Sequence, residues 1–298
     1  MNSTSSIALR SASVALVAAL GIGSLGCSPA DSSAFGATGS TTTSAGTTGG
    51  GGSSAGGATP GQGSIAIYVQ GDLVDPGFAD GLAGQTPTDY QIALSRYQVL
   101  RAADDPAPVL CFDHGQSPVV SDMARDNLVG TCQTQAMPSG VYTHGRTKVD
   151  WVRYTVEGTY HSGKFDVPGK FTFLRAYSDT TYAGKPYKAG KGSVTFVGAV
   201  TSEYPLDYPA PVDAAGVHFD LTKGELTMTF AFGKALPIAQ ADTNAHWARF
   251  NWKIFEAFRW ADGDGMGFKD GVWDVAPGGG EAVLMYGFSG YYVTSSVD

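Results

Sequence analysis

The chain has 298 residues, with 27 acidic and 19 basic side chains and a formal charge of −8. That balance argues against nucleic acid as a partner, because holding phosphates needs clustered Lys and Arg. Everything after residue 63 is long enough for one large β domain or two small ones. It carries the whole charge of −8, since Arg10 and Asp31 are the only charged residues before it.

Residues 1–26 read as a targeting segment: Arg10 is followed by a run rich in Ala, Val and Leu that ends in GIGSLGC. The run is too short and too broken by Gly for a stable membrane span. Its end resembles the lipobox of bacterial lipoproteins at Ser24, Leu25, Gly26 and Cys27, with the usual Leu and small residue in exchanged order. The resemblance implies cleavage before Cys27, acylation of that cysteine and attachment to a membrane. Ser28 stands where Asp is the usual inner-membrane retention signal, which points to the outer membrane. An ordinary secretory signal, with Cys27 a chance thiol, is the alternative.

From Gly36 to Ala58 the chain contains only Gly, Ala, Ser and Thr. Such a composition cannot bury enough apolar surface to offset its ordering entropy, so residues 27–63 read as a flexible tether. Its last 33 residues (31–63) have an average reach of about 30 Å.

The remainder, 64–298, reads as strands. Segments beginning at Ser64, Gln91, Pro108, Lys170 and Ser193 are rich in β-branched and aromatic residues and bounded by Gly, Pro or Asp. A long strand or bent pair covers 149–161, with Gly158 a candidate bulge. Residues 217–221 and 225–233 alternate apolar and polar around a TKG turn, which predicts a hairpin. A last strand begins at Ala282. Residues 121–130 predict two helical turns with Ser121 as N-cap and Gly130 at the end. In an exported protein Cys111 and Cys132 are expected to form a disulfide. The fold class is therefore all-β: one antiparallel β-sandwich, with the Pro-rich stretch 203–216 as a long surface crossover. Pro138, Gly140 and Tyr142 resemble the start of a strand in transthyretin-like and related β-sandwich modules on bacterial surface lipoproteins, which implies topology alone; an Ig-like order is the other expectation.

Signals for chemistry are few. His114, His144, His161, His218 and His246 are scattered singly, without the paired spacing of a helical zinc site. His218 and Asp220 share one face of a strand whose other face is apolar, so the pair is expected to face water. GFSGY at 287–291 lacks the second Gly of a nucleophile elbow. Lys185, Lys188 and Lys191 fail the phosphate-loop spacing and read as a solvated loop. Between His246 and Trp260, strict alternation puts Glu256 on the apolar side; either it is a buried acid or ligand, or a bulge near Phe255 turns it outward, and the bulge is preferred.

Residues 260–274, WADGDGMGFKDGVWD, pose the sharpest question. Asp262, Asp264, Asp270 and Asp274 stand in a Gly-rich run that offers oxygens of the kind calcium needs. The run resembles the Asp/Gly calcium loops of EF-hand, dockerin and thrombospondin-repeat proteins at Asp262, Asp264, Gly267 and Asp270, but Met266 and Trp273 replace expected ligands. A polar turn between strands is the preferred alternative. The leading expectation is a lipid-anchored envelope module that binds or braces, with Trp247, Tyr291 and Tyr292 as a platform for an envelope glycan or protein. The rival is an envelope hydrolase using Glu256 and an aspartate of 262–274.

Overall fold

Alternation drives the strands. Leu226, Met228, Phe230 and Phe232 are all buried along one side of the strand that begins at Glu225, and their intervening neighbours are mostly less so. The computed structural model describes residues 63–162, 165–199, 201–211, 213, 217–239, 242–263, 267–277 and 279–297. The expected targeting segment 1–26, Cys27 and the expected tether up to Gln62 lie outside the described residues, as does Asp264.

In chain order the strands are β1 (Ser64–Asp72), β2 (Ala83–Gln85), β3 (Thr88–Leu100), β4 (Val109–Asp113) and β5 (Val119–Asp122). There follow β6 (Asn127–Gln133), β7 (Gly140–Ser162), β8 (Phe165–Ala176), β9 (Thr180–Tyr182) and β10 (Lys185–Tyr187). Next come β11 (Lys191–Val197), β12 (Thr201–Asp207), β13 (Val217–Thr222), β14 (Glu225–Ile238) and β15 (Ala245–Lys253). The chain ends with β16 (Phe258–Trp260), β17 (Asp274–Ala276), β18 (Gly279–Gly280), β19 (Val283–Tyr286) and β20 (Gly290–Ser295). A single 3-10 turn, Thr134–Ala136, is the only helical element among the described residues.

The fold is all-β and sandwich-like. One layer is a large sheet with the order β12-β11-β8-β7-β14-β13, extended by β3, β4, β5, β17 and β18. The other consists of a four-stranded sheet, β20-β15-β1-β6, and a three-stranded one, β19-β16-β2. Between them Phe230 meets Phe250 at 4.6 Å and Phe173 meets Phe258 at 5.4 Å. The core is continuous from Ile65 to Val293 and includes residues on both sides of the Pro-rich stretch. Pairing is mainly antiparallel, but β1–β15 and β7–β17 are parallel.

The 23-residue β7 organises the large sheet. One of its edges pairs with β14 through Lys148 and with β8 from Trp151 onward, so the sheet forks at Asp150. The Ser178 hydroxyl ties the fork together, donating to Val149 O and accepting from Leu226 N. Gly158 is not a bulge: β7 and β8 pair without a shift through it. Its missing side chain instead admits Trp273, whose carbonyl oxygen would stand 2.6 Å from an added Cβ.

Four other expectations need correcting. The stretch 203–216 is not a crossover throughout, since residues 203–207 belong to β12 and pair with β11. Residues 121–130 form no helix. Asp122 ends β5 and accepts from Ala124 N, and Asn127 then starts β6, which pairs with β1. Sheet pairing has overridden a marginal helical signal. The segments 246–260 and 282–293 each divide into two strands that lie in different sheets. Their breaks face one another, with Gly287 N donating to Ala257 O and Ser289 N to Lys253 O, so both chains cross between the small sheets together. Cys111 and Cys132 form the expected disulfide, tying β4 of the large sheet to β6 of the four-stranded one.

Candidate functional site

The acidic run leaves β16 at Trp260 and returns through β17, which runs beside β7 with Asp274 paired to Thr159 and Val275 to Tyr160. That register brings Asp274 against His161. Asp274 is fully buried; Oδ1 lies 2.8 Å from His161 Nε2, and Oδ2 accepts from Lys269 N at 2.6 Å. On its other side His161 Nδ1 lies 2.8 Å from Asp166 Oδ1. Burial disfavours the charged imidazole, but the hydrogen bonds to Asp274 and Asp166 outweigh it and raise the His161 pKa. With carboxylates on both nitrogens, this histidine is a clamp; neither nitrogen is offered to a substrate.

Glu281, which the sequence reading did not single out, holds the base of the same loop. Its two oxygens accept from Gly263 N at 2.8 Å and Asp274 N at 2.7 Å, and Trp273 Nε1 donates to its carbonyl. Burial raises the Glu281 pKa; the two amides pull the other way, the Asp262 carboxyl adds to the rise, and the net shift is upward. Asp262 accepts from Gly271 N at 2.8 Å, and Asp270 is exposed. Of the four aspartates expected to surround calcium, Asp274 points into the protein, and Asp264 lies outside the described residues. Among the described residues no group of three or more His, Cys, Asp or Glu side chains has an arrangement that could hold a metal ion.

Glu256 does turn outward, through a left-handed turn (φ 40°) between two strands rather than a bulge within one. It pairs with Arg259 Nη1 at 3.1 Å. The buried Arg259 also forks onto Asp80 at 3.0 and 2.6 Å and lies over the Phe78 ring. The anticipated aromatic platform is divided. Tyr291 stacks on Phe250 in the core, whereas Tyr292 stands half exposed beside Lys253, and Trp247 packs against Arg249 on the outer side of the four-stranded sheet.

The outer face of the large sheet holds two grooves. Where β3, β7, β14 and β13 lie side by side, a groove of about 620 Å³ is lined by Arg96, Gln98, Arg146, Thr229, His218 and Asp220. The water-facing pair His218 and Asp220 thus sits on its wall, with His218 Nδ1 2.7 Å from Asp213. Arg96 is paired with Glu225, whereas Arg146 donates to Thr229 Oγ1 and Ala103 O.

Across the fork, a second groove of about 320 Å³ lies over β7, β8, β11 and β12 and is walled by the β9–β10 hairpin. Its floor includes Arg153, Thr172, Ser193 and Thr195, and its wall Tyr182 and Tyr187. Those two rings pack on a small apolar cluster of Ala93, Trp151 and Leu174, with Tyr182 edge-on to Trp151 at 4.9 Å. Trp151 and Leu174 are outward-facing residues that sequence reading assigned to ordinary strands; no local signal distinguishes them. The lysines around this hairpin are each matched: Lys185 with Glu203, Lys188 with Asp179 and Lys191 with Asp207. No family model, curated protein or solved structure matches this chain.

Proposed function

We propose that this chain is a lipid-anchored module of the cell envelope whose β-sandwich head binds a glycan along the outer face of its large sheet. The observation that carries the reading is the pair of grooves on that one face, lined by both polar and apolar surface, with Tyr182 and Tyr187 packed over Trp151 at the fork. Sugars present hydroxyls to polar side chains and flat C–H faces to aromatic rings, and a sheet face with both suits them. The lipobox-like GSLGC and the Gly/Ser/Thr tether support an anchored location, which would hold such a face clear of the membrane.

The loop 262–281 serves in this reading as a brace on the sheet edge. A hydrolase would need an acid and a base facing an open site. Glu256 is held by Arg259 and His161 by two aspartates, which favours binding over hydrolysis. The test is binding of the mature chain to a panel of envelope and plant polysaccharides by affinity electrophoresis. Retardation by at least one polysaccharide, lost in Tyr182→Ala and Tyr187→Ala, is expected. No retardation of the wild-type protein by any of them overturns the reading.

A further inference from the structure

Resting on the glycan reading, we infer that the smaller groove selects an anionic sugar, with Arg153 receiving its carboxylate. Arg153 lines this groove, half-buried, between Gln91 of β3 and Leu174 of β8. Among the described residues its guanidinium makes no ion pair and no hydrogen bond. The other charges in the groove cancel: Lys185 lies 2.6 Å from Glu203, and the Tyr187 hydroxyl leans on the same carboxylate at 3.5 Å. One uncompensated positive charge therefore remains, on the side chain whose planar fork matches a carboxylate.

The floor beside it suits the rest of a sugar. Thr155, Thr172 and Thr195 stand in register across β7, β8 and β11, with Thr155 Oγ1 and Thr172 Oγ1 3.0 Å apart. Ser193 follows one row over, opposite Leu174. A pyranose standing against Tyr182 and Tyr187 would direct its hydroxyls to Thr172 and Thr195, the half-buried members of this row that line the groove, and a ring carboxylate to Arg153. The charge of −8 on the whole chain does not forbid an acidic ligand, because charges farther than about 8 Å are largely screened at physiological salt.

The experiment compares polygalacturonate with neutral dextran and a neutral galactan, using the full mature chain and Arg153→Gln. Expected are binding of polygalacturonate that weakens as salt rises, a loss of about tenfold or more in Arg153→Gln, and an unchanged melting midpoint in that variant. Arg153→Lys should restore part of the affinity, since it keeps the charge and loses the fork. Equal binding of charged and neutral polymers, or undiminished polygalacturonate binding in Arg153→Gln, overturns this inference and leaves the glycan reading standing. Failure to bind any of the three polymers overturns this inference, while the glycan reading falls only if the wider polysaccharide panel also fails.

Discussion

His161 Nε2 lies 2.8 Å from Asp274 Oδ1, although 113 residues separate them in the chain. The contact closes the acidic loop onto the end of β7, with the Asp274 carboxylate held between the imidazole and Lys269 N. Because β17 runs parallel to β7 at this point, the two side chains meet in a buried position where an unpaired carboxylate would be costly.

A pH dependence follows from this contact. The His161 pKa is raised in the folded protein, so its stabilising contribution is fully present below the ordinary histidine value and is lost as pH rises through the raised one. The Glu281 carboxyl, also raised, contributes with the same sign in a more acidic window. Stability should therefore carry a component that falls as pH rises through and above the ordinary histidine range, and His161→Gln should lack that component in its profile of melting midpoint against pH. His161→Ala, which strands Asp274, should cost about 3 kcal/mol near neutral pH. Parallel profiles for the two proteins would remove His161 from the loop's energetics.

Calcium at about 1 mM and a chelator should give the same midpoint, because Asp262 and Asp274 already accept hydrogen bonds from the loop itself. A rise with calcium that disappears in Asp262→Asn would instead make the run an ion site.

Gly158→Ala should destabilise the head by about 1 to 3 kcal/mol. The new methyl group would stand 2.6 Å from Trp273 O, the atom that accepts from Thr159 N, and would push β17 off β7. Urea unfolding would measure this, with Gly169→Ala as a second close approach on the paired strand.

Reducing the Cys111–Cys132 bridge, or replacing both cysteines by Ser, should cost about 3 kcal/mol from the loop it closes. Calorimetry should then show a midpoint lower by about 6 to 12 °C. An unchanged midpoint would mean that β4 and β6 are held together by packing alone.

Replacing Cys27 by Ser should move the protein from the membrane fraction to the soluble fraction and remove the mass of an acyl group from its N-terminus, as read by fractionation and mass spectrometry. Retention in the membrane fraction would count against the lipobox reading of GSLGC.

The strand character of the head was legible because period-two alternation is local: each of Leu226, Met228, Phe230 and Phe232 announces its face by its neighbours alone. The hairpin at Thr222–Glu225 followed for the same reason, since turn and alternation are adjacent in sequence. Cysteine pairing was also within reach, because residues 64–298 hold two cysteines, which admit one bridge among themselves.

Residues that act across sheets were not legible. Alternation through Lys253–Trp260 cannot report that the chain leaves one sheet at Ile254 and enters another at Phe258, because both pieces are apolar and the turn at Glu256 has no Gly to mark it. Glu281 and His161 likewise gave no sign of sharing a site with Asp274. Composition and short-range pattern determined a strand-built acidic head that follows a stretch of Gly, Ala, Ser and Thr. Pairing register decided the rest: where β7 forks, which carboxylate faces which imidazole, and that Arg153 is left without a partner among the described residues of its groove. Those outcomes depend on contacts between segments tens to more than a hundred residues apart, and such contacts leave no local trace.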